Sequence, residues 1–158
     1  MELIHTCYRV TDPERSIAFY EALGLEKRRE LPIRDEAVNY FLGVPGQEIP
    51  ELELTHNFGV DSYELGTGYG HVALTVDDLD SALEKLAAQG IEPERPPYQV
   101  REGGSRICFV RDPDDRRRCV RRQRRRHRRS HAERLHRLDD VDLAERRRPQ
   151  RHGDPLVP

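Results

Sequence analysis

The chain has 158 residues, a formal net charge of −2 and 35% hydrophobic residues, which suits one domain or two small modules that share a core. It has no run of about eighteen apolar residues and no basic-then-apolar leader, so we expect neither a membrane span nor a signal peptide, and a cytoplasmic protein. Three cysteines, at positions 7, 108 and 119, are an odd number without paired spacing, which argues against a disulfide framework.

Charge divides the chain near residue 115. Residues 1–115 carry 11 Lys and Arg against 23 Asp and Glu, whereas residues 116–158 carry 16 Arg against 6 acidic residues. Apolar residues become sparse at the same place. We therefore predict a folded acidic part, followed over residues 119–158 by an Arg-rich tail that is irregular and disordered.

The first part of the chain predicts the order β-α-β-β-β. Leu3 to Val10 alternates as a strand. Asp12 as the N-cap and Pro13 at the first helical position then predict a helix that ends at Gly24. Three more strands are predicted over residues 26–31, 38–42 and 51–55, with polar or Pro/Gly turns between them.

The same order restarts at His71, with a strand over 71–76 and a helix over 77–88. At an offset of 66 residues, segments 5–26 and 71–92 have six identical residues. Such a repeat indicates two equivalent modules, which we place at 1–60 and 61–118. We predict an α+β fold of two βαβββ modules. The last strand of the second module is predicted to be incomplete, because its arginines would repel one another in a sheet.

A carboxylate and two imidazoles on these strands are candidate metal ligands. Glu53 lies in the middle of its strand, and the repeat makes His5 the equivalent of His71. The same offset from Glu53 leads to Cys119, where symmetry would ask for a second carboxylate. Two imidazoles and two carboxylates suit nickel, cobalt or zinc. Taken without the repeat, however, a strand Glu is more often solvated and a strand His more often hydrogen-bonded.

Roughly residues 1–114 resemble the glyoxalase I (lactoylglutathione lyase) family of the vicinal-oxygen-chelate superfamily, in its short bacterial form. The resemblance lies in the opening stretch LIHTCYRVTDPERSIAFYEALGL, the central stretch ELTHNFGVDSYELGTGYGHVALTV, and VRDPD at residues 110–114. In the family the last of these continues with Gly, an aromatic residue and a strand that ends in a Glu ligand. We therefore expect the glyoxalase/bleomycin-resistance/dioxygenase type of fold.

The resemblance implies a divalent metal ion, nickel or cobalt rather than zinc, with the ligands His5, Glu53 and His71. It implies that the glutathione part of the substrate is bound by Arg9, Asn57 and Arg101. It also implies a homodimer with active sites between the subunits, each site drawing one module from each chain. The implied reaction converts the methylglyoxal–glutathione hemithioacetal into S-D-lactoylglutathione, by proton transfer through an ene-diolate with Glu53 as a catalytic carboxylate.

The sequence departs from the family after Asp114, where Asp115 replaces the expected Gly and Cys119 replaces the fourth ligand. In the family the carboxylate at that position is the base that acts on the productive stereoisomer of the hemithioacetal. We therefore expect this chain to be weakly active or inactive. Cys119 could still bind a soft metal ion as a thiolate, with a shorter side chain. Because the chain has 25 Arg against 2 Lys, our hypothesis is that the ending is an altered reading frame of a GC-rich gene, with a natural basic tail as the alternative.

Two other classes of function are left open by the sequence. The fold without the activity would be a non-catalytic ligand-binding protein, or another vicinal-oxygen-chelate protein such as a dioxygenase, which holds iron with two His and one Glu. The Arg-rich tail could bind nucleic acid through phosphate contacts, although it has no aromatic residues on which bases could stack. His56, next to the site in sequence, is expected to point to the other face of its strand.

Overall fold

In the computed structural model, which describes residues 1–122, the chain forms two modules with the same order of elements. The first module consists of β1 (His5–Arg9), α1 (Pro13–Ala22), β2 (Glu26–Ile33), β3 (Ala37–Gly43) and β4 (Glu51–Asn57). The second module consists of β5 (Val72–Val76), α2 (Leu79–Ala87), β6 (Tyr98–Gln99), β7 (Arg106–Arg111) and β8 (Arg117–Arg122). The predicted α+β fold of two βαβββ modules is confirmed.

Both sheets have four strands, in the equivalent orders β1-β4-β3-β2 and β5-β8-β7-β6. In each sheet the first and last strands of the module pair in parallel, and the other pairs are antiparallel. The register agrees as well, because Cys7 pairs with Glu53 in the first sheet and Ala73 pairs with Cys119 in the second. Cys119 therefore occupies in the second sheet the place that Glu53 occupies in the first.

The helix α1 begins and ends as its sequence predicts, whereas α2, predicted over 77–88, spans Leu79–Ala87. Asp12 caps α1 and Asp78 caps α2, each accepting a backbone N–H from the third residue along the chain, at 3.0 and 2.8 Å. Pro13 is the first residue of α1, where its missing N–H costs no helical hydrogen bond. Past the helix ends, Gly24 and Gly90 have φ angles of +96° and +75°, a conformation that other residues rarely adopt.

One apolar cluster holds the two modules together. It contains side chains from α1, β4, α2 and β8, among them Phe19, Leu54, Leu86 and Val120. Each buried side chain of this size contributes about 1.5–3 kcal/mol. Because side chains alternate along a strand, the residues between these core positions lie on the opposite face of each sheet, where polar groups can remain accessible.

The last strand of the second module is present, so the prediction that it would be incomplete was wrong. β8 pairs with β5 on one side and β7 on the other. Its arginines do not simply repel one another, because alternation sends them to different acidic partners. Arg118 points inward, with Nη2 2.7 Å from Oδ2 of Asp112, whereas Nη2 of Arg117 is 2.7 Å from Oε2 of Glu94.

The hairpin between β7 and β8 turns at Asp115, where the family pattern has glycine. Asp115 has a φ of 65°, and its N–H donates to the carbonyl of Asp112 at 2.9 Å. Asp is among the few non-glycine residues that adopt this left-handed conformation at modest cost, so the turn forms without the glycine. The Arg-rich tail was predicted at residues 119–158, but residues 119–122 are in β8. Residues 123–158 lie outside the described part of the chain. The predicted disorder and nucleic-acid binding of the tail fall on those residues.

Neither helix in the described part of the chain has the length and apolar composition that crossing a membrane requires.

Candidate active site

The first sheet brings two of the three predicted metal ligands together. His5 begins β1, and Glu53 lies in the middle of β4, its parallel neighbour. Nε2 of His5 is 3.3 Å from Oε2 of Glu53. The His5 side chain is 40% exposed and that of Glu53 11%, so the pair is open to solvent on the imidazole side.

Neighbouring side chains orient the Glu53 carboxylate through one oxygen. Oε1 accepts hydrogen bonds from Nδ2 of Asn39 at 2.9 Å and from Oγ1 of Thr55 at 3.3 Å. Oε2 therefore remains for His5 or for a cation. Asn39 was missed by sequence reasoning, because only the pairing of β3 with β4 places it diagonally opposite Glu53.

The second sheet carries His71 and Cys119 at positions that correspond to His5 and Glu53. His71 immediately precedes β5 and is exposed, and its ring meets the Phe109 ring edge-on with centroids 5.1 Å apart. Cys119 is 7% exposed. Burial raises the pKa of the Cys119 thiol, and the neighbouring Arg121 and Arg117 offset this only in part. In the metal-free protein the thiol is therefore protonated at neutral pH, when it is a weak base.

Within the described part of one chain, His71 does not join His5 and Glu53. No group of three or more His, Cys, Asp and Glu side chains that could hold a metal ion occurs among residues 1–122. One chain instead presents two half-sites, one on each sheet. The convergent imidazole and carboxylate of the first half-site are a donor pair that nickel, cobalt and zinc all accept, so these residues fit such an ion.

The residues expected to bind glutathione are divided between the two sheets. Arg9 ends β1 on the same face as His5, and its side chain is exposed. Asn57 ends β4 on the face of Glu53, and its Nδ2 donates to the hydroxyl of Tyr63 at 3.0 Å. Arg101 is exposed in the loop between β6 and β7. The first sheet thus carries two of the three residues, and Arg101 is in the second module.

Two further polar side chains, Cys7 and His56, lie close to the first half-site in sequence but on opposite faces of the sheet. Cys7 lies between His5 and Arg9 on the same face of β1, with Sγ 3.3 Å from Oγ1 of Thr55, and burial raises the pKa of its thiol. His56 faces the other side of β4, as its position in the strand predicts, and its Nδ1 is 3.3 Å from the carbonyl oxygen of Val10. We assign His56 a structural role.

Known proteins resemble this chain over the same two modules. Residues 2–117 match the family described as the Glyoxalase/Bleomycin resistance protein/Dioxygenase superfamily. Lactoylglutathione lyases of Haemophilus influenzae and Shigella flexneri are 41% and 44% identical to it over 117 residues, which are 72% of this chain and 87% of each relative. A lactoylglutathione lyase of Arabidopsis thaliana is 44% identical over 115 residues, and this chain spans 40% of the length of that relative.

Solved structures agree with the sequence matches. Glyoxalase I from Zea mays superposes with a TM-score of 0.70 at 36% identity, over 77% of this chain and 44% of the maize chain. The trypanothione-dependent glyoxalase I of Leishmania major superposes with a TM-score of 0.63 at 30% identity, over 92% of this chain and 97% of that one. The family match extends from β1 to β7 and therefore includes His5, Glu53 and His71.

Proposed function

Because this chain belongs to the glyoxalase/bleomycin resistance protein/dioxygenase superfamily, we propose that it is a metal-dependent lactoylglutathione lyase. The reaction isomerises the hemithioacetal of methylglyoxal and glutathione to S-D-lactoylglutathione, which disposes of a toxic aldehyde. The observation that carries the proposal is the 3.3 Å approach of His5 Nε2 to Glu53 Oε2, within modules that match lactoylglutathione lyases. An imidazole and a carboxylate converge there on an accessible face of the sheet.

The metal ligands in this proposal are His5 and Glu53 of one chain and His71 of a second chain. Nickel and cobalt are the favoured metals, with zinc as the third candidate, because the donors are nitrogen and oxygen. When bound, the metal ion supplies Lewis-acid stabilisation of the negative charge that develops on the substrate oxygens. Asn39 and Thr55 hold the Glu53 carboxylate in one orientation, which would present Oε2 to the ion.

Glu53 is the residue of this chain that can move the proton. The carbon-bound proton of the hemithioacetal is removed by a carboxylate and returned to the neighbouring carbon, through an ene-diolate. Oε1 is held by Asn39 and Thr55, so Oε2, which lies 3.3 Å from Nε2 of His5, is the oxygen that can accept it. The second carboxylate of the family pattern is replaced by the protonated Cys119. We therefore expect activity about 10²–10⁴-fold below that of a chain with both carboxylates.

Positive and amide groups around the half-sites suit the glutathione part of the substrate. Glutathione carries two carboxylates, and guanidinium groups bind carboxylates in a planar, bidentate manner. Arg9 is exposed on the His5 face, and Asn57 ends the strand that carries Glu53. Arg101 would reach the substrate from the second chain, together with His71.

A homodimer with shared sites accounts for the separation of the half-sites. The apolar side chains of Leu31 and Ile33 on β2 are 47% and 36% exposed. Through their pairing with Asn39 and Ala37 they share the face of β3 that carries Asn39. Exposed apolar side chains beside a polar site are typical of a surface covered by another chain. Three free cysteines in the described residues suit the reducing cytoplasm, where we place the protein.

The proposal is tested by assaying the full chain for methylglyoxal–glutathione isomerisation with added nickel, cobalt and zinc. We expect metal-dependent activity that Glu53→Gln lowers by about 10²-fold or more, because the amide cannot accept the proton. Metal binding without isomerisation would instead identify a ligand-binding member of the family, an alternative that the protonated Cys119 favours. A chain that neither binds metal nor isomerises the substrate, even as Cys119→Glu, would refute the proposal.

Mixing two inactive variants tests whether each site draws on two chains. Glu53→Gln damages the half-site of the first sheet, and His71→Gln damages that of the second. If sites are shared, a mixed dimer contains one intact site, and equal mixing should restore about a quarter of the parent activity. If each site lies within one chain, mixing restores nothing. The Cys119→Glu background, where we expect the highest activity, is the suitable parent.

A further inference from the structure

The histidine of the first half-site is part of a chain of side-chain contacts. The ring of His5 meets Phe41 edge-on, with centroids 6.5 Å apart and planes at 82°. The guanidinium carbon of Arg29 lies 3.4 Å from the centre of the Phe41 ring. Nη2 of Arg29 is in turn 2.9 Å from Oε2 of Glu51. The phenylalanine is thus held between the imidazole and a guanidinium that a carboxylate orients.

The second half-site has the same chain of contacts. The ring of His71 meets Phe109 edge-on, with centroids 5.1 Å apart and planes at 86°. The guanidinium carbon of Arg117 lies 3.8 Å from the centre of the Phe109 ring. Arg117 donates to Oε2 of Glu94 through Nε at 2.9 Å and has Nη2 2.7 Å from the same oxygen. We call each set of four residues a His–Phe–Arg–Glu array.

The two phenylalanines occupy equivalent places in their sheets. Phe41 pairs with Glu53 on the last strand of the first module, and Phe109 pairs with Cys119 on the last strand of the second. The arrays therefore follow the pseudo-symmetry of the fold. Neither array was predicted from the sequence, because the contacts join residues on different strands.

The charged residues of the two arrays have exchanged strands. Glu51 lies two residues before Glu53 on the last strand of the first module. Arg117 lies two residues before Cys119 on the last strand of the second. Their partners are Arg29 on β2 and Glu94 in the segment before β6. An arginine covers the phenylalanine in both modules although it comes from a different strand in each. What the two modules share is therefore the stacked contact itself.

Such an array restricts how the imidazole can turn. A cation over an aromatic face is worth about 0.5–2 kcal/mol and holds the ring in place, while edge-to-face contact between rings has a preferred geometry. His71 has no hydrogen-bond partner in the described part of the chain, so Phe109 supplies the ring contact that orients it. Metal-binding histidines are generally oriented by a hydrogen bond to their second nitrogen, and here an aromatic ring takes that part.

We propose that Phe41 and Phe109, each covered by an arginine, are positioning residues that preset the ring orientation of His5 and His71 for metal binding. The inference rests on the proposed function, since it treats both histidines as ligands. It adds four residues beyond the ligands to what determines metal affinity, namely the two phenylalanines and their arginines. They act through the histidines and do not touch the metal or the substrate.

The second array offers the sharper test, because Arg117 is half exposed and can be changed with little risk to folding. The variants are Phe109→Leu, which removes the ring, Phe109→Tyr, which retains it, and Arg117→Gln. Arg106→Gln is the matched control, since Arg106 is on β7 and forms an exposed ion pair with Asp80 at 2.9 Å. The measurement is the affinity of the full chain for Co²⁺ and Zn²⁺, by competition with a chelator.

We expect Phe109→Leu to bind metal about 10- to 100-fold more weakly, as is usual for residues that orient a metal ligand. Arg117→Gln should weaken binding by about threefold or more, the loss of a cation–π contact. Phe109→Tyr and Arg106→Gln should bind like the parent. In the metal-free protein, the NMR signals of the His71 ring should move in Phe109→Leu and stay in Phe109→Tyr, because ring currents act on the imidazole.

Parent-like affinity in both Phe109→Leu and Arg117→Gln would overturn the inference while leaving the proposed function intact. A parent chain that takes up no metal would overturn both. If Phe109→Leu fails to fold, the metal affinity of Arg117→Gln decides the inference alone. An affinity equal to that of Arg106→Gln would then overturn it.

Discussion

Among single residues, Cys119 has the largest effect on the expected chemistry, because it stands at the register position of Glu53 in the second sheet. We expect Cys119→Glu to raise isomerase activity by about 10²–10⁴-fold, since it supplies a second proton-transferring carboxylate. Arg117 and Arg121 nearby would favour the charged form of the new side chain. Cys119→Gln has the same shape without the charge and is the control. Equal activities of the two variants in the isomerisation assay would contradict the prediction.

Cys108 makes the stability of the fold depend on pH above neutrality. Burial raises the pKa of the Cys108 thiol to about 11, and the neighbouring Cys119 adds to the shift, against an ordinary value of 9.0. Below pH 9 the thiol is protonated in both states, so it adds no pH dependence. Between about pH 9 and pH 11 the unfolded chain loses this proton and the folded chain keeps it, so the free energy of unfolding falls.

We expect that fall to amount to about 2 kcal/mol by pH 11, from a pKa difference of two units. Urea denaturation at pH 8, 9, 10 and 11 measures it. Cys108→Ala should be less stable at pH 8, because it leaves a cavity, but it should lose less stability between pH 9 and pH 11. A variant with the same pH dependence as the parent would show that another group is responsible.

At the level of secondary-structure elements, a bulge in β2 directs Arg28 onto the loop between β3 and β4. The pairing of β2 with β3 shifts register at this residue. Nη1 of Arg28 donates to the carbonyl of Glu48 at 2.7 Å, and Nη2 donates to the carbonyls of Val44, at 2.8 Å, and Gln47. One guanidinium thereby holds most of the loop that leads into β4, the strand that carries Glu53.

This packing predicts that a side chain at Gly43 displaces the guanidinium of Arg28. A Cβ at this position would overlap the guanidinium of Arg28. We expect Gly43→Ala to lower the free energy of unfolding by about 2 kcal/mol, because Arg28 must give up charged hydrogen bonds. In an Arg28→Ala background the same change should cost much less, as urea denaturation of the four proteins would reveal. Additive costs would mean that the two residues are independent.

At the level of the whole molecule, a buried polar network joins the second module to α1 of the first. Arg118 donates through Nε to the hydroxyl of Tyr20 at 2.8 Å and through Nη2 to Oδ2 of Asp112 at 2.7 Å. Tyr20 donates to the same carboxylate at 3.0 Å. In the turn between β7 and β8, Oδ1 of Asp114 accepts hydrogen bonds from the backbone N–H of Thr11 at 3.0 Å and from its hydroxyl at 2.8 Å. The β7–β8 hairpin is thus bonded to the start of the chain.

The network makes Arg118 a strong determinant of stability. The Arg118 side chain is fully buried, so Arg118→Met leaves the Asp112 carboxylate buried with only the more distant guanidinium of Arg116, at 3.9 Å. We expect a loss of about 3–5 kcal/mol in the free energy of unfolding, as when one member of a buried ion pair is removed. Arg106→Met, which breaks the exposed pair with Asp80, should cost less than about 1 kcal/mol. Similar losses in the two variants under urea denaturation would contradict this account.

Local signals and the repeat were enough to predict most of the fold. Helix caps, terminal glycines and alternating strands involve residues within a few positions of one another, so their effects can be read from a short segment. The six identities at an offset of 66 residues placed His5 and His71 at equivalent positions. The family assignment, which rested on three stretches of sequence, was confirmed by the match over residues 2–117. The ligand set, the metal and the dimer stay predictions.

Only the tertiary structure decided whether β8 forms, what surrounds the ligands and which ligands one chain brings together. An arginine-rich segment reads as an unfavourable strand, and Arg118 is tolerated because Asp112 and Tyr20, 6 and 98 residues away along the chain, meet it in the core. Strand register likewise brings Asn39 to Glu53. Such contacts depend on the free energy of burying and pairing groups from distant segments, which no local pattern contains.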